Sequence, residues 1–276
     1  MRSIVFDYLN NYSSFQLFGK SHWIAIILFF LIAVILPWFS KKYLEEKNQS
    51  IVGLILIFLV FINYPVWVFL ELIAGTFDLK LHLPLHLCRL ANLLLPIALI
   101  WKNDKIFQIL YYWGMSAMFQ AMFTPDITHD FPHFHYFRYF AAHQLLIICL
   151  IYYIAVFNMR PTLPGLKNAF LALNVFLVIA FISNKVIGSN YFWIMEKPPA
   201  GSILDFMGPW PWYILIAEIV AFFHFYLAYF FYKFLNHKVN YSGGHMELQS
   251  IEMLKKFFKS RRRSNNIHLS SSQIGQ

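Results

Sequence analysis

Two side chains in this sequence have the types and spacing of a nucleophile and its base: Cys88 and His143. Cys88 lies in Pro84-Leu85-His86-Leu87-Cys88-Arg89-Leu90-Ala91-Asn92, which opens a long apolar run. With a helix starting near Pro84, four residues at about 1.5 Å each place the thiol about 6 Å inside the run. His143 lies at a similar depth, counted from Arg138, in a second apolar run. An imidazole facing a thiol draws off its proton and holds a nucleophilic thiolate. Read from residues alone, Cys88 also fits a small buried hydrophobe and His143 a hydrogen-bonded interior residue. Cys149 has only apolar neighbours and reads as structural.

Other polar groups cluster around the pair. His86 is two residues from Cys88, so on a regular helix the two side chains diverge. Asn92, four residues on, shares the face of Cys88. It suits either an oxyanion donor or an interhelical hydrogen bond. Arg89 calls for an anionic partner, since a lone arginine at a helix centre costs about 2.5–3.5 kcal/mol. Glu71, Glu218 and a lipid phosphate are the options, with a structural ion pair preferred. The loop His129-Asp130-Phe131-Pro132-His133-Phe134-His135 carries histidines at i, i+4, but Pro132 between them argues against a ligand-bearing helix. The stretch Gly188–Trp212 is rich in aromatics and prolines and reads as a rigid lid at head-group level. Trp210, Trp212 and Tyr213 suit an aromatic belt, and Lys197 and Asp205 either orient a phosphate or are solvated loop charges.

The elements that position these groups are membrane helices. The chain has 276 residues, of which 59% are hydrophobic and 13% charged, against about 25% charged in soluble domains. Apolar runs of spanning length make the fold class all-α, a polytopic membrane protein of about seven transmembrane helices. The spans are expected at about His22–Phe39, Ile51–Ile73, Leu85–Trp101, Ile106–Phe123, Phe137–Phe157, Asn168–Ile187 and Pro211–Leu235. Residues 1–20 form a polar-aromatic lead-in, 21–236 the transmembrane domain, and 237–276 a basic tail. In that tail Ile251, Leu254, Phe257 and Phe258 share a stripe beside lysines and arginines. It reads either as an amphipathic helix on anionic lipid head groups or as a disordered basic tail. The first apolar run lacks the marks of a cleaved signal and reads as a retained span. Two cysteines in separate runs exclude a disulfide framework.

Lys and Arg set the orientation. With seven spans, fifteen fall on the side of the first, third and fifth connections plus the tail, and six on the other. The expected topology is N-terminus outside, C-terminus cytoplasmic. Three chemically loaded segments then share the outer side: 82–92, 126–143 and 188–212. They are expected to meet in one site opening toward the outer leaflet.

His86-Leu87-Cys88, Thr124-Pro125-Asp126 with Phe131-Pro132-His133, His143, Asn190-Tyr191 with Lys197-Pro198, and Asp205 with Gly208-Pro209-Trp210-Pro211-Trp212-Tyr213 carry a resemblance. Together they resemble the YwaF family of bacterial integral membrane proteins over roughly spans 2–7. More remotely the chain is similar to eukaryotic transmembrane protein 164, a lipid acyltransferase with a cysteine nucleophile. Arg89 departs from the bacterial pattern, which often has Asp there. The resemblance implies a nucleophile at Cys88, a helical histidine at His143, and a multi-pass protein of the bacterial inner membrane. Asp126, His133, Asn190, Tyr191, Lys197, Asp205, Trp210 and Trp212, with His86, Arg89 and Asn92, are the candidates for binding substrate or supporting the pair.

The expectation is an acyltransferase working through a thioester on membrane phospholipids, with no cofactor, no metal and no nucleic-acid partner. The rival is a transporter or lipid-binding protein built on Glu71, Arg89 and Glu218, and a weaker third is a metal enzyme using the histidine loop.

Overall fold

A computed structural model describes residues 2–11, 14–198 and 202–236; the basic tail, with its stripe at Ile251–Phe258, lies outside the described residues. Helices account for nearly all the regular structure: α1 (Arg2–Asn10), α2 (Lys20–Tyr43), α3 (Glu46–Ala74), α4 (Leu87–Ile100), α5 (104–123), α6 (Phe134–Phe157), α7 (Leu163–Ile187) and α8 (Trp212–Asn236). The only β feature among the described residues is one isolated bridge, Ser14 to His129. Five helices, α2, α3, α6, α7 and α8, are long and apolar enough to cross a membrane. The protein is an all-α polytopic membrane protein.

Each helix ends where local chemistry stops it. Gly75 closes α3 in the left-handed region at φ 76°, and Gly188 closes α7 at φ 69°. Asn103 caps α5 by accepting from the Ile106 N–H, and Thr162 caps α7 by accepting from Gly165. Pro164 sits in the first turn of α7, where its missing N–H is harmless. This moves the start of the helix from the expected Asn168 back to Leu163.

The central rod is α6: 56% of its apolar window is buried, against 11% for α8 at the periphery. It packs against α2 and α3, while α4 lies between α3 and α5, and α5 packs on α7. Cys149 is fully buried in this core among Leu146, Ile147, Leu150 and Tyr153. The outer faces of α2, α3, α7 and α8 expose Trp23, Ile27, Phe58, Val178, Phe223 and similar side chains, as a bilayer-facing surface requires.

Two rods widen into a π turn, α5 at Gly114–Met118 and α6 at Ala141–Leu145. The two wide turns pack together. Such turns add a residue to one revolution and concentrate at functional sites.

The shortest rod corrects an expectation. Instead of spanning Leu85–Trp101, α4 covers only Leu87–Ile100, about 21 Å against a hydrocarbon core of about 30 Å. The connector 75–86 therefore enters the bundle over its last residues, 82–86, before α4 begins, while 78–81 stay exposed. Irregular backbone at such depth must be satisfied by protein, and it is. Tyr64 donates to the His82 carbonyl at 2.8 Å, the Tyr191 hydroxyl donates to the Leu79 carbonyl and accepts from the Leu83 N–H at 2.9 Å, and Arg89 donates to the carbonyls of Leu81 and Leu83.

Candidate active site

The descending connector explains how Cys88 reaches His143. Cys88 is only the second residue of α4, whereas His143 lies nine residues into α6. The equal depths expected from the sequence do not hold when counted from these helix starts. The pair meets because α4 itself starts inside the bundle. The thiol and the imidazole line one cavity, close enough for charge on one to act on the other. His143 Nδ1 donates to the Tyr139 carbonyl at 2.7 Å, which leaves Nε2 as the nitrogen with a lone pair for the thiol proton. The Tyr139 ring lies against the imidazole at 4.4 Å. Its hydroxyl donates to the Ala121 carbonyl at 3.0 Å, so the base is held in one orientation.

The sulfur is surrounded by positive potential. The first N–H accepted within the α4 ladder is that of Leu90, by the His86 carbonyl at 3.1 Å, and the His86 side chain makes no cap. The N–H groups of Leu87, Cys88 and Arg89 stay outside the ladder, at the positive end of the helix. Arg89 and Arg138 both act on Cys88 through charge.

Asn92 clamps the helices. With its amide nitrogen toward the acceptors, it donates to the Ala142 carbonyl at 3.1 Å and the Cys88 carbonyl at 3.3 Å. Ala142 belongs to the π turn that carries His143. Asn92 therefore makes an interhelical bond that fixes the distance between nucleophile and base, and its nitrogen is engaged. Asn92→Leu should lower stability in detergent by about 0.6–1.7 kcal/mol, the usual range for such bonds, read as a lowered Tm.

Both groups open into one cavity of about 720 Å³. All three chemically loaded segments contribute to its wall, through His82, His86, Cys88 and Arg89, then Asp126, Arg138 and His143, then Phe192, Trp193 and Met207. Burial alone raises the Asp126 carboxyl above the ordinary carboxylate value. The wall from α7 and α8 is mostly apolar, with Glu218 and His224 among its residues.

Several expected site residues are spent on architecture. Arg89 forms no ion pair with Glu71 or Glu218. It turns to the two connector carbonyls and stacks over Trp67, its Cζ 4.5 Å from the ring centre. Glu71 instead accepts from the Trp67 indole at 2.8 Å and from Thr76, with His82 and His135 at 3.8 and 4.0 Å. Glu218 accepts from Asn174 at 2.9 Å. His86 occupies the N-cap position of α4 without a side-chain cap bond and packs its ring edgewise against Tyr191 and Trp193.

His133 caps α6 by accepting from the His135 N–H, and its Nε2 donates to the Tyr8 carbonyl at 2.9 Å. His129 stacks on His133 with ring centres 4.2 Å apart, so the i, i+4 pair lies face to face and does not converge. Burial, with the neighbouring His133, holds the His129 imidazole below its ordinary pKa. No group of three metal-capable side chains converges among the described residues.

The lid is internally stapled; Ser202 and Tyr213 reach the cavity wall, whereas Asn190, Lys197 and Asp205 are not on it. Asn190 accepts from Met195 and Glu196 and donates to the Glu196 carbonyl. Trp210 donates to the Ile194 carbonyl and Tyr213 to that of Trp193. Lys197 and Asp205 lie 4.0 Å apart and answer each other's charge, while Asp205 also closes the capping box at Ser202. Trp212 is exposed, as a belt residue would be.

Sequence reading missed Arg138 as a site residue, using it only to reckon depth and orientation. Residues five apart on a regular helix point roughly 140° from each other, so nothing in the spacing joined Arg138 to His143. The π turn at 141–145 brings both to one cavity wall. The available signal was an arginine next to an apolar run that already held a histidine.

The TMEM164 family matches this chain over residues 17–229. The chain belongs to the TMEM164 family. The matched range contains every residue of the cavity wall, so the likeness covers the site as well as the scaffold. An uncharacterized protein of Treponema pallidum (strain Nichols) is 26% identical over 188 residues, which is 67% of this chain and 76% of that protein. No solved structure matches.

Proposed function

We propose that this TMEM164-family protein is a membrane-embedded lipid acyltransferase of the YwaF branch, acting at the outer-leaflet side of a bacterial inner membrane. The observation that carries the reading is the Cys88–His143 pair, with a tautomer set by the Tyr139 carbonyl, inside a cavity whose α7 and α8 wall is mostly apolar.

The Cys88 sulfur attacks the carbonyl carbon of a phospholipid acyl ester as its proton passes to His143 Nε2. Negative charge develops on the carbonyl oxygen beside the unladdered N–H groups of the α4 N-terminus, which suit an oxyanion site better than the engaged Asn92 amide. The carbon–oxygen bond breaks, and His143 returns the proton to the lysolipid oxygen. A hydroxyl of a lysolipid or another lipid acceptor then gives its proton to His143 and attacks the thioester. The sulfur leaves and regains the proton. No step calls for a cofactor.

The test is a trap. Purified protein in mixed micelles with a phospholipid carrying an alkyne-tagged acyl chain should acquire one hydroxylamine-labile label at Cys88, located by peptide mass spectrometry. Label at Cys149, or none under conditions where lipid transfer proceeds, would refute the thioester.

A further inference from the structure

Arg138 lies near the Glu71 charge but forms no ion pair with it. Its guanidinium reaches the cavity wall, its Nε is sealed from solvent with no partner, and it makes no hydrogen bond or ion pair to any described residue. Its Cζ stacks 4.0 Å from the centre of the Trp67 ring, the ring that also carries Arg89 at 4.5 Å. Arg89 is bonded only to carbonyl oxygens, which solvate its charge without cancelling it. Two guanidiniums thus share one indole, and Trp67 in turn is anchored by its indole N–H to Glu71. The Glu71 carboxylate is tied up by Trp67, Thr76 and the two nearby histidines. Around Trp67 two cations face one carboxylate, a local excess of positive charge; the other acids on the cavity wall are Asp126 and Glu218, the latter bonded to Asn174. Within a bilayer an uncompensated charge is costly and marks a ligand pathway. Guanidiniums match the oxygen spacing of a phosphate, and stacking on an aromatic ring pre-orients their donors.

We propose that Arg138 and Arg89, braced on Trp67, form the binding site for the phosphodiester of a glycerophospholipid whose acyl chain lies along the apolar wall formed by Leu173, Leu177, Ala217, Ala221 and Phe225. This deepens the acyltransferase reading and rests on it only for the use made of the bound lipid. Arg89 adjoins Cys88 in sequence, and both cations act on the thiol through charge, so a phosphate held here sets an acyl ester beside the sulfur. Arg138 and Arg89 are positioning residues for the substrate head.

Native mass spectrometry of the full chain in detergent tests this, in a Cys88→Ala background so that binding is read without turnover. The probes are a phosphatidylglycerol, a diacylglycerol with the same acyl chains, and inorganic phosphate. The phospholipid should bind at least tenfold more tightly than the diacylglycerol. Arg138→Gln and Arg89→Gln should each erase most of that difference, while Arg138→Lys keeps part of it. Affinity for the diacylglycerol, retained in the variants, shows that the cavity is still formed.

An unchanged preference in both Gln variants would overturn the clamp, whatever the fate of the thioester. Inorganic phosphate binding as tightly as the phospholipid would overturn the lipid as its source. Should the clamp be confirmed while thioester trapping fails, the protein holds phospholipid without cleaving it.

Discussion

Cys88→Ala should abolish acyl transfer, by on the order of 10³-fold or more, while the protein stays folded. The magnitude follows from losing the atom that forms the covalent intermediate, since removal of a nucleophile leaves only binding and oxyanion stabilisation. The fold survives because Cys88 is the second residue of α4, half-buried at the cavity wall, and alanine suits a helix well. Lipidomics of membranes from cells expressing wild type or variant measures the effect, with purified transfer assays beside it.

Cys149→Ala supplies the contrast. That thiol is fully enclosed in the core, so its loss should cost about 1–2 kcal/mol of stability and leave transfer unchanged per folded molecule. Cys88→Ser separates the two functional classes. A hydroxyl is a far poorer nucleophile at neutral pH, so an enzyme loses its activity. A transporter or lipid-binding protein built on the charged groups of the same cavity keeps its function with serine and fails when Glu71 or Arg89 is changed. Retained function in Cys88→Ser would settle the matter against covalent chemistry.

His143→Ala should lower transfer by about 10²–10⁴-fold, the usual share of a positioned general base. The residual rate should also acquire a steep pH dependence. Without a base the thiolate must form by simple ionisation, so the rate climbs about tenfold per pH unit toward the ordinary thiol range near 8.5. The wild type, whose base takes the proton during attack, should be much flatter over that interval. Tyr139→Phe keeps the ring against the imidazole and keeps the carbonyl that binds Nδ1, so it should retain most activity. If His143→Ala were as active as wild type at neutral pH, the base would have to be sought elsewhere on the cavity wall.

The membrane character and the helix order were legible in the amino-acid sequence because both follow from one-dimensional quantities: low charge, long apolar runs, and the positions of glycine and proline. The convergence of the three loaded segments was expected from an alternating count of helices, and the shared cavity shows that they meet. Cys88 and His143 were nameable because a thiol and an imidazole stand out in apolar surroundings. The tertiary structure decided how they meet. Local pattern says nothing about a connector that descends into a bundle, because such backbone is stable only when distant groups such as Tyr64 and Tyr191 satisfy it. Nor does it reveal a π turn, whose extra residue is accommodated by packing between α5 and α6 and re-aims every side chain beyond it. That turn puts Arg138 and His143 on the same wall, and a guanidinium whose Nε is sealed off without a partner is a property of three-dimensional surroundings that no single segment contains.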